Sequence, residues 1–305
     1  MLRRKRVIKF ADEGATPGTK VAGTTELMAF DPQVSIEADF SERISTGHQL
    51  GQTLSGTVGP KSCKLTFECE LAGTGSGGLN AGLAILLQAC GFKQTAEVYN
   101  LHSDVSAHDS LSFDVFDDGK KKEIAGAVGN VVFEGETGQI IRLKFEFTGR
   151  WVQETDVSLP TYVPSAEAGL RLASGTFTLD AVPTKIGKFS LAIGNVIAPA
   201  LDPNAAEGIA CYQIRDYDPV VSMDPEEVLV ATYDYTGKWA AATAAVLSLV
   251  VGGGSQDTAT FAIPVLQYKD IKESERDKLS VYEINAQCLH SSGDDAVTLT
   301  MTAGS

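Results

Sequence analysis

Residues 111–148 read LSFDVFDDGKKKEIAGAVGNVVFEGETGQIIRLKFEFT, and this stretch decides the fold class. Apolar and polar side chains alternate from Leu111 to Val115, and Asp118-Gly119 follows, a dipeptide that favours a two-residue hairpin turn because it tolerates positive φ. The end of the stretch alternates apolar and charged residues. The pattern predicts three antiparallel strands in a sheet with one apolar face, which another element must cover.

The segment upstream predicts that cover. Residues 64–71 alternate as a half-exposed strand, and a glycine-rich loop follows at 73–78. Apolar residues then recur at helical spacing, and Gly91 suits the left-handed residue that ends a helix. The predicted apolar face of this helix consists of Leu79, Leu83, Leu86 and Cys90. We expect the helix to pack on the sheet of residues 111–148.

The composition indicates a mainly β protein of two domains. A chain of 305 residues can bury a full core without staples, and two prolines without periodicity at 154–169 predict a boundary near residue 160. The expected domains, 1–160 and 161–305, each combine a β-sandwich or barrel with a short covering helix. In the second domain the alanine-rich residues 236–246 predict that helix, with Thr236 as its cap.

Charge and cysteine usage exclude several classes of function. A net charge of −14 argues against a protein that grips nucleic acid through clustered Lys and Arg. Five cysteines without a CxxC pair fit reduced thiols better than a disulfide or zinc framework. The apolar run at 239–251 is too short for a membrane span. Polar residues interrupt any export signal after the basic arm at residues 3–6, which reads as a solvated or partner-binding terminus rather than a nucleotide contact.

Residues 38–60 form a polar segment rich in Ser, Thr and Gly without sustained periodicity, which predicts a long loop. Loops of this length in a compact protein are usually functional or disordered. Its apolar residues are Phe40, Ile44, Leu50 and Leu54. In a free loop they lose contact with the core, so we expect them to anchor on a second subunit.

Motifs that suggest chemistry have simpler interpretations. Residues 73–78 spell GxGxxG between a strand and a helix, but the preceding strand alternates, whereas a dinucleotide-binding first strand is buried on both faces. The acidic cluster around Gly119 fails the EF-hand pattern, so a solvated hairpin tip is expected. The four histidines (48, 102, 108 and 290) accompany no catalytic signature, although His102, Asp104 and His108 can approach one another in a loop. We therefore expect no enzyme, no cofactor and no metal.

A weak internal repeat connects the two halves. DPQVSIE at 31–37 recurs as DPVVSMD at 218–224, and a similar order of strand, loop, helix and strands follows each copy. One heptapeptide can recur by chance. The shared order of elements favours a duplication.

Several segments together resemble the major tail tube proteins of long-tailed bacteriophages. They are RVIKFADEGATPGT, TFECELAGTGSGG, LAILLQACGF, the hairpin with Asp118-Gly119, IAGAVGNVVFEGETG, KFEFTGRW and DVSLPT. The resemblance covers residues 3–160, and the remainder only by general pattern. It implies a virion protein, made in the bacterial cytoplasm, whose hexameric rings join their sheets into a β-barrel and stack into a tube. In that family a long loop at the place of residues 38–60 contacts the neighbouring ring.

The resemblance also implies partners and a lumen. The partners are further copies of the chain and the terminator, tape measure and tip proteins, with DNA passing transiently. An acidic lumen would repel phosphates, and the candidate lumen charges are Asp114, Arg142, Lys144 and Glu146. The alternative is a β-sandwich binding module or adhesin domain, which a glycan-binding monomer would favour and the missing export signal disfavours.

Overall fold

The computed structural model describes residues 5–47, 53–105, 108–163, 167–205, 207–253 and 257–304, and strands dominate it. The elements up to residue 160 are β1 (Val7–Asp12), β2 (Thr25–Glu26), β3 (Phe30–Ile44), β4 (Thr53–Glu70), α1 (Ala81–Gln88), β5 (Phe92–Thr95), β6 (Val98–Leu101), β7 (Leu111–Asp117), β8 (Lys120–Glu136) and β9 (Arg142–Asp156).

The second half is built in the same way. Its elements are β10 (Thr176–Leu179), β11 (Val182–Pro183), β12 (Ile186–Ala192), β13 (Asn195–Leu201), β14 (Ile209–Tyr217), β15 (Val220–Pro225), α2 (Tyr235–Ala240), β16 (Ala245–Gly252), β17 (Thr258–Arg276), β18 (Leu279–Leu289) and β19 (Thr298–Thr302). The fold is therefore mainly β, as the sequence predicts.

Antiparallel pairing links all strands except the separate β13–β14 hairpin. From the edge inward the order is β3, β4, β9 and β8. The first part of β8 continues to β7, β1 and β2, whereas its last part continues to β12, β15, β18, β17, β16, β10 and β11. On the other edge of β17, β19 leads to β6 and β5.

The predicted three-stranded sheet of residues 111–148 is present as β7, β8 and β9. Asp117 pairs with Lys120 across a two-residue turn, in which Gly119 has a φ of +99°. Leu143, Phe145 and Phe147 are buried on one face of β9. The alternation in the sequence identified these strands because it follows the apolar face of the sheet.

The polar side of β7 differs from the sequence prediction, because it is buried as well. Residues 13–23 cross it. Asp114 forms an ion pair with Lys20 at 2.8 Å and accepts a hydrogen bond from the backbone of Gly23. The buried Glu13 carboxylate bonds the hydroxyl of Ser112 at 2.6 Å. A covering segment far away in sequence thus buries polar groups that alternation assigns to solvent.

Residues 38–60 are not the predicted loop. Strands β3 and β4 pair from the Phe30–Glu68 pair to the Ile44–Thr53 pair, with three register irregularities. Alternation is absent because no core lies against this part of the hairpin, so backbone hydrogen bonds carry the pairing without requiring one apolar face. The predicted inter-subunit segment is consequently the outer part of a long β-hairpin.

Helix α1 lies where the sequence predicts it. The Asn80 side chain caps its first turn, and Gly91 follows with a φ of +88°. All four residues of the predicted apolar face are buried in the main core, but only Leu83 and Leu86 belong to α1, whereas Leu79 and Cys90 lie just before and just after it. The backbone of Gly129 in β8 donates to the carbonyl of Ala89, which fixes the helix end against the sheet.

The second helix is shorter than predicted. Asp234, not Thr236, caps it, and it ends at Ala240. Ala242 then takes a φ of +52° in a turn, and β16, which pairs with β17, begins at Ala245 and so takes the last two residues of the alanine-rich run. Trp239 is about half exposed, so α2 covers less of its sheet than α1 does.

The two halves have matching strand pairings. The pairs β1–β7, β7–β8, β8–β9, β9–β4 and β4–β3 correspond to β10–β16, β16–β17, β17–β18, β18–β15 and β15–β12. The repeated heptapeptide is not part of this correspondence, because its first copy lies in β3 and its second in β15, the counterpart of β4. The halves also share one core and the β8–β12 and β6–β19 pairs, and the boundary near residue 160 stays a prediction.

Candidate assembly surfaces

The outer part of the β3–β4 hairpin exposes apolar side chains. Every residue from 35 to 44 is exposed. Phe40 is 64% exposed, Ile44 77% and Leu54 43%. The fourth predicted anchor, Leu50, lies outside the described residues. Exposed apolar surface marks interaction sites in soluble proteins, so these side chains are candidates for such a site.

This apolar surface continues the core-facing side of the sheet. Val34 lies opposite the buried Leu65, and Ile36 lies opposite the buried Cys63. Cross-strand neighbours in an antiparallel pair point to the same face. Ile36 itself is 47% exposed, and farther out Phe40 pairs with the exposed Val58. The sequence prediction missed Ile36 and Val58, although their position opposite apolar residues becomes evident once the hairpin is paired.

The opposite face of the joined sheet is polar and concave. A depression of about 900 Å³ lies over the ends of β8, β9, β12, β15, β17 and β18. Its acidic lining residues are Glu70, Glu134, Glu136, Asp224, Glu275 and Glu283, and its basic ones are Arg142, Lys188 and Arg276. Carboxylates therefore outnumber cations on this surface, which disfavours tight binding of a phosphate backbone.

Three of the four predicted lumen charges lie on this polar face or its continuation along β9. Arg142 is 3.1 Å from Glu68, and Lys144 is 2.7 Å from Glu134. The hydrogen bond with Glu134 raises the pKa of the Lys144 ammonium. Glu146 is exposed on the same strand. Asp114 does not belong to the group, because residues 13–23 bury it on another strand.

The comparison with known families gives a match over nearly the whole chain. The family model of the phage tail tube protein matches residues 4–302. The chain belongs to the phage tail tube protein family. A search of curated proteins gives no match.

The glycine-rich loop of this tail tube protein is filled by one of its own carboxylates. The buried Asp257 accepts hydrogen bonds from the backbone N–H groups of Gly75 at 2.7 Å and Gly77 at 3.0 Å. A Cβ on Gly73 would lie 2.2 Å from the same carboxylate. The loop thus offers its donors to an internal anion, in the place where a dinucleotide fingerprint would offer them to a phosphate.

The histidines and cysteines of the tail tube chain have structural surroundings. His108 Nε2 lies 2.7 Å from the carbonyl oxygen of His102, whose Nδ1 accepts from the backbone of Asp104. All five cysteines are buried and unpaired. Among the described residues no group of three or more His, Cys, Asp or Glu is arranged to hold a metal ion. Within the same residues neither helix has the length and apolarity to cross a membrane.

The described part of the basic arm contacts acidic residues of the same chain. Arg6 forms an ion pair with Asp117 at 2.5 Å and also donates to the carbonyl of Pro32, and Lys5 lies 3.8 Å from Asp118. Arg3 and Arg4 lie outside the described residues. Lys5 and Arg6 thus attach the N-terminal segment of the tail tube protein to the β7–β8 turn.

Proposed function

We propose that this tail tube protein polymerises into stacked rings, hexameric in the family that the sequence resembles, and that the stack forms the DNA conduit of the phage tail. The exposed apolar face of the β3–β4 hairpin carries the proposal. Phe40 and Ile44 extend the core side of β3 beyond the body of the subunit, whereas Leu54 lies opposite Arg43 and exposes its apolar group on the other face of the hairpin. A neighbouring ring that covers them removes this apolar area from water, which is favourable by about 25 cal/mol per Å².

The charge distribution supports a conduit. The polar concave face has an excess of carboxylates, and many of its cations are already paired with carboxylates within the chain. A lumen lined by this face would repel phosphate groups and would not hold DNA in place. In the assembled tail, terminator, tape measure and tip proteins would complete the two ends and the interior.

Shortening the hairpin tests the proposal. Ser41 lies opposite Thr57, so replacing residues 42–56 by Asn-Gly closes the hairpin with a favoured two-residue turn. We expect the shortened chain to keep the thermal melting and circular dichroism of the parent but to lose stacked tubes in negative-stain electron microscopy. Normal tubes from the shortened chain would contradict the inter-ring role of the hairpin.

Point variants separate the apolar contact from the length of the hairpin. Phe40→Ser combined with Ile44→Ser removes exposed apolar groups, whereas Ser41→Ala combined with Arg43→Ala changes exposed neighbours on the same strand. We expect tubes from the second pair of substitutions only. A parent chain that stays monomeric in light scattering at every concentration would refute assembly altogether.

A further inference from the structure

The two halves of the chain correspond residue by residue at their central strands. Leu111 and Phe113 of β7 lie opposite Ala127 and Ile124 of β8, with a register irregularity between the two pairs. Ala245 and Leu247 of β16 lie opposite Leu266 and Ile263 of β17, with the same irregularity. The counterparts of β7 and β8 are therefore β16 and β17.

Strands β3 and β12 correspond as well. Gln33 of β3 lies opposite Thr66, and a register irregularity separates this pair from the pair formed by Phe30. Ser190 of β12 lies opposite Ser222, with an irregularity in the same direction along the strand. Thr66 and Ser222 occupy matching places beside β9 and β18. Ser190 is therefore the counterpart of Gln33, and β12 is the counterpart of β3.

The chain pairs its own halves through such an edge. Strand β12 of the second half is antiparallel to the end of β8 in the first half, with Ser190 opposite Glu134 and Lys188 opposite Glu136. Lys188 and Glu136 form an ion pair, with 3.8 Å between the ammonium nitrogen and the carboxylate oxygen. The backbone of Ile193 also donates to the carbonyl of Val131, and both side chains are buried.

The strands that correspond to this junction, β3 in the first half and the end of β17 in the second, have no such partner within the part of the chain that the structure describes. Among the pairings of the described residues, β3 pairs only with β4. The end of β17, residues 268–276, pairs only with β18, whereas the corresponding end of β8 pairs with both β9 and β12. The carbonyl of Pro32 in β3 already accepts from Arg6, and the carbonyl of Lys269 in β17 accepts from Trp239. The other groups of these two edges favour addition of another strand, and a closed ring of copies would satisfy them.

We infer that β3 of one copy pairs antiparallel with the end of β17 of the next copy, in the register of the β8–β12 junction within the chain. This inference rests on the proposed ring assembly. Strand β17 has one residue more than β8 at its bulge between Tyr268 and Asp270, so Glu134 corresponds to Ser274 and Glu136 to Arg276. In the same register Gln33 would lie opposite Ser274 and Asp31 opposite Arg276. The partner is a second copy of this chain, joined head to tail.

Side-chain chemistry agrees with this register. Asp31 would lie opposite Arg276, so the charges are opposite as they are for Lys188 and Glu136. Arg276 already forms ion pairs with Asp224 at 2.7 Å and Glu226 at 3.2 Å within the chain, and Asp31 would add a third carboxylate to this cluster. The exposed Ile36 would meet the partly buried Ile271, in the place of the buried pair Ile193 and Val131. The ring contact would therefore bury an apolar group that the isolated chain leaves in water.

One position departs from the internal junction. Val34 would face Glu273 of the next copy, whereas the junction within the chain places Leu191 opposite Phe133. Glu273 is exposed in the isolated chain. A smaller apolar contact at this position makes the contact between copies weaker than the junction within the chain.

Disulfide trapping tests the register. Residues directly opposite in an antiparallel pair have Cα atoms about 4.5–5.5 Å apart, within the range that a disulfide spans. The variant Gln33→Cys with Ser274→Cys should give a ladder of covalent oligomers on non-reducing gels, and its largest member counts the chains in a ring. The native cysteines are buried, so their background is low.

Matched variants make the result decisive. Glu134→Cys with Ser190→Cys places the same pair within the chain and should form an intrachain disulfide. Ser41→Cys with Ser274→Cys, eight residues out of register along β3, should give no ladder. If the first pair of cysteines prevents assembly under reducing conditions, Ser35→Cys with Lys272→Cys, two residues along in the same register, replaces it.

The outcomes separate this inference from the proposed function. Tubes or rings without a ladder, alongside an oxidised intrachain control, overturn the register and leave ring assembly standing. A ladder from the out-of-register pair that equals that of the in-register pair also overturns it. Absence of any ring or tube from the parent chain overturns the proposed function itself.

Discussion

Replacing Glu13 by glutamine tests whether the cover over β7 depends on one buried carboxylate. Its Oε2 accepts from the backbone of Gly18 at 2.6 Å and from the hydroxyl of Ser110 at 2.8 Å. Its Oε1 accepts from the hydroxyl of Ser112 at 2.6 Å and from the backbone of Gly126 at 2.7 Å. A carboxylate, which accepts hydrogen bonds through both oxygens and donates none, satisfies all four donors.

Glutamine cannot satisfy the same four groups. Whichever oxygen becomes an NH₂ group, one backbone N–H then faces another donor, because a serine hydroxyl can rotate to accept but a backbone N–H cannot. An unsatisfied buried donor costs about 1–3 kcal/mol, and a hydrogen bond to a charged group contributes about 1.5–3 kcal/mol. We expect Glu13→Gln to lower the free energy of unfolding by about 2–4 kcal/mol.

The assay is denaturant unfolding at protein concentrations below assembly, followed by tryptophan fluorescence. Glu42→Gln, at an exposed position of the β3–β4 hairpin, is the matched control and should change the free energy of unfolding by no more than about 0.5 kcal/mol. Glu13→Ala should cost more than Glu13→Gln, since it leaves all four donors without the carboxylate. A midpoint for Glu13→Gln equal to that of the control would refute the reasoning.

Three further predictions concern the thiols, the core and a turn. Burial raises the pKa of Cys63 and Cys288 to about 12, so these thiols stay protonated at pH 8, and we expect the native protein to react with a thiol reagent far more slowly than the denatured protein. Leu83→Ala or Leu86→Ala should each cost about 2–5 kcal/mol in denaturation experiments, because both side chains are fully buried, and unchanged midpoints would contradict this packing. Lys278 has a φ of +67° in the β17–β18 turn, so we expect Lys278→Gly to raise the free energy of unfolding by about 0.5–1 kcal/mol. Lys272→Gly, within the strand, should lower it.

The strands of residues 111–148 could be predicted from sequence because each has one side against the core. The burial of Asp114 could not, since residues 13–23 cover it and nothing in the local pattern indicates a distant segment. The hairpin of residues 38–60 was missed for a related reason. Where no core faces a strand, the sequence need not alternate, and cross-strand hydrogen bonds between backbones leave no periodic signal.

Part of the assembly surface also could not be identified from the sequence alone. Phe40, Ile44 and Leu54 were found as apolar residues in a polar segment, but Ile36 and Val58 required knowledge of the pairing. The helix propensity of the alanines in residues 236–246 is too weak to exclude a strand. The end of this run is a strand because it pairs with β17. The correspondence of the two halves is carried by strand pairing and register, while the heptapeptide that suggested it falls in strands that do not correspond.

Subunit stability and assembly are connected through the hairpin. Along β3 and β4 one face carries apolar groups from the body to the outer part: Leu65 and Cys63 are buried, whereas Ile36 and Phe40 are not. What changes along the strands is whether another element covers that face. A neighbouring subunit that supplies the cover binds the folded hairpin and not the unfolded chain, so it stabilises the fold by an amount that grows with subunit concentration. The parent chain should therefore melt at a higher temperature as its concentration rises through the assembly range, and the chain shortened at residues 42–56 should lose the part of that dependence that stacking contributes.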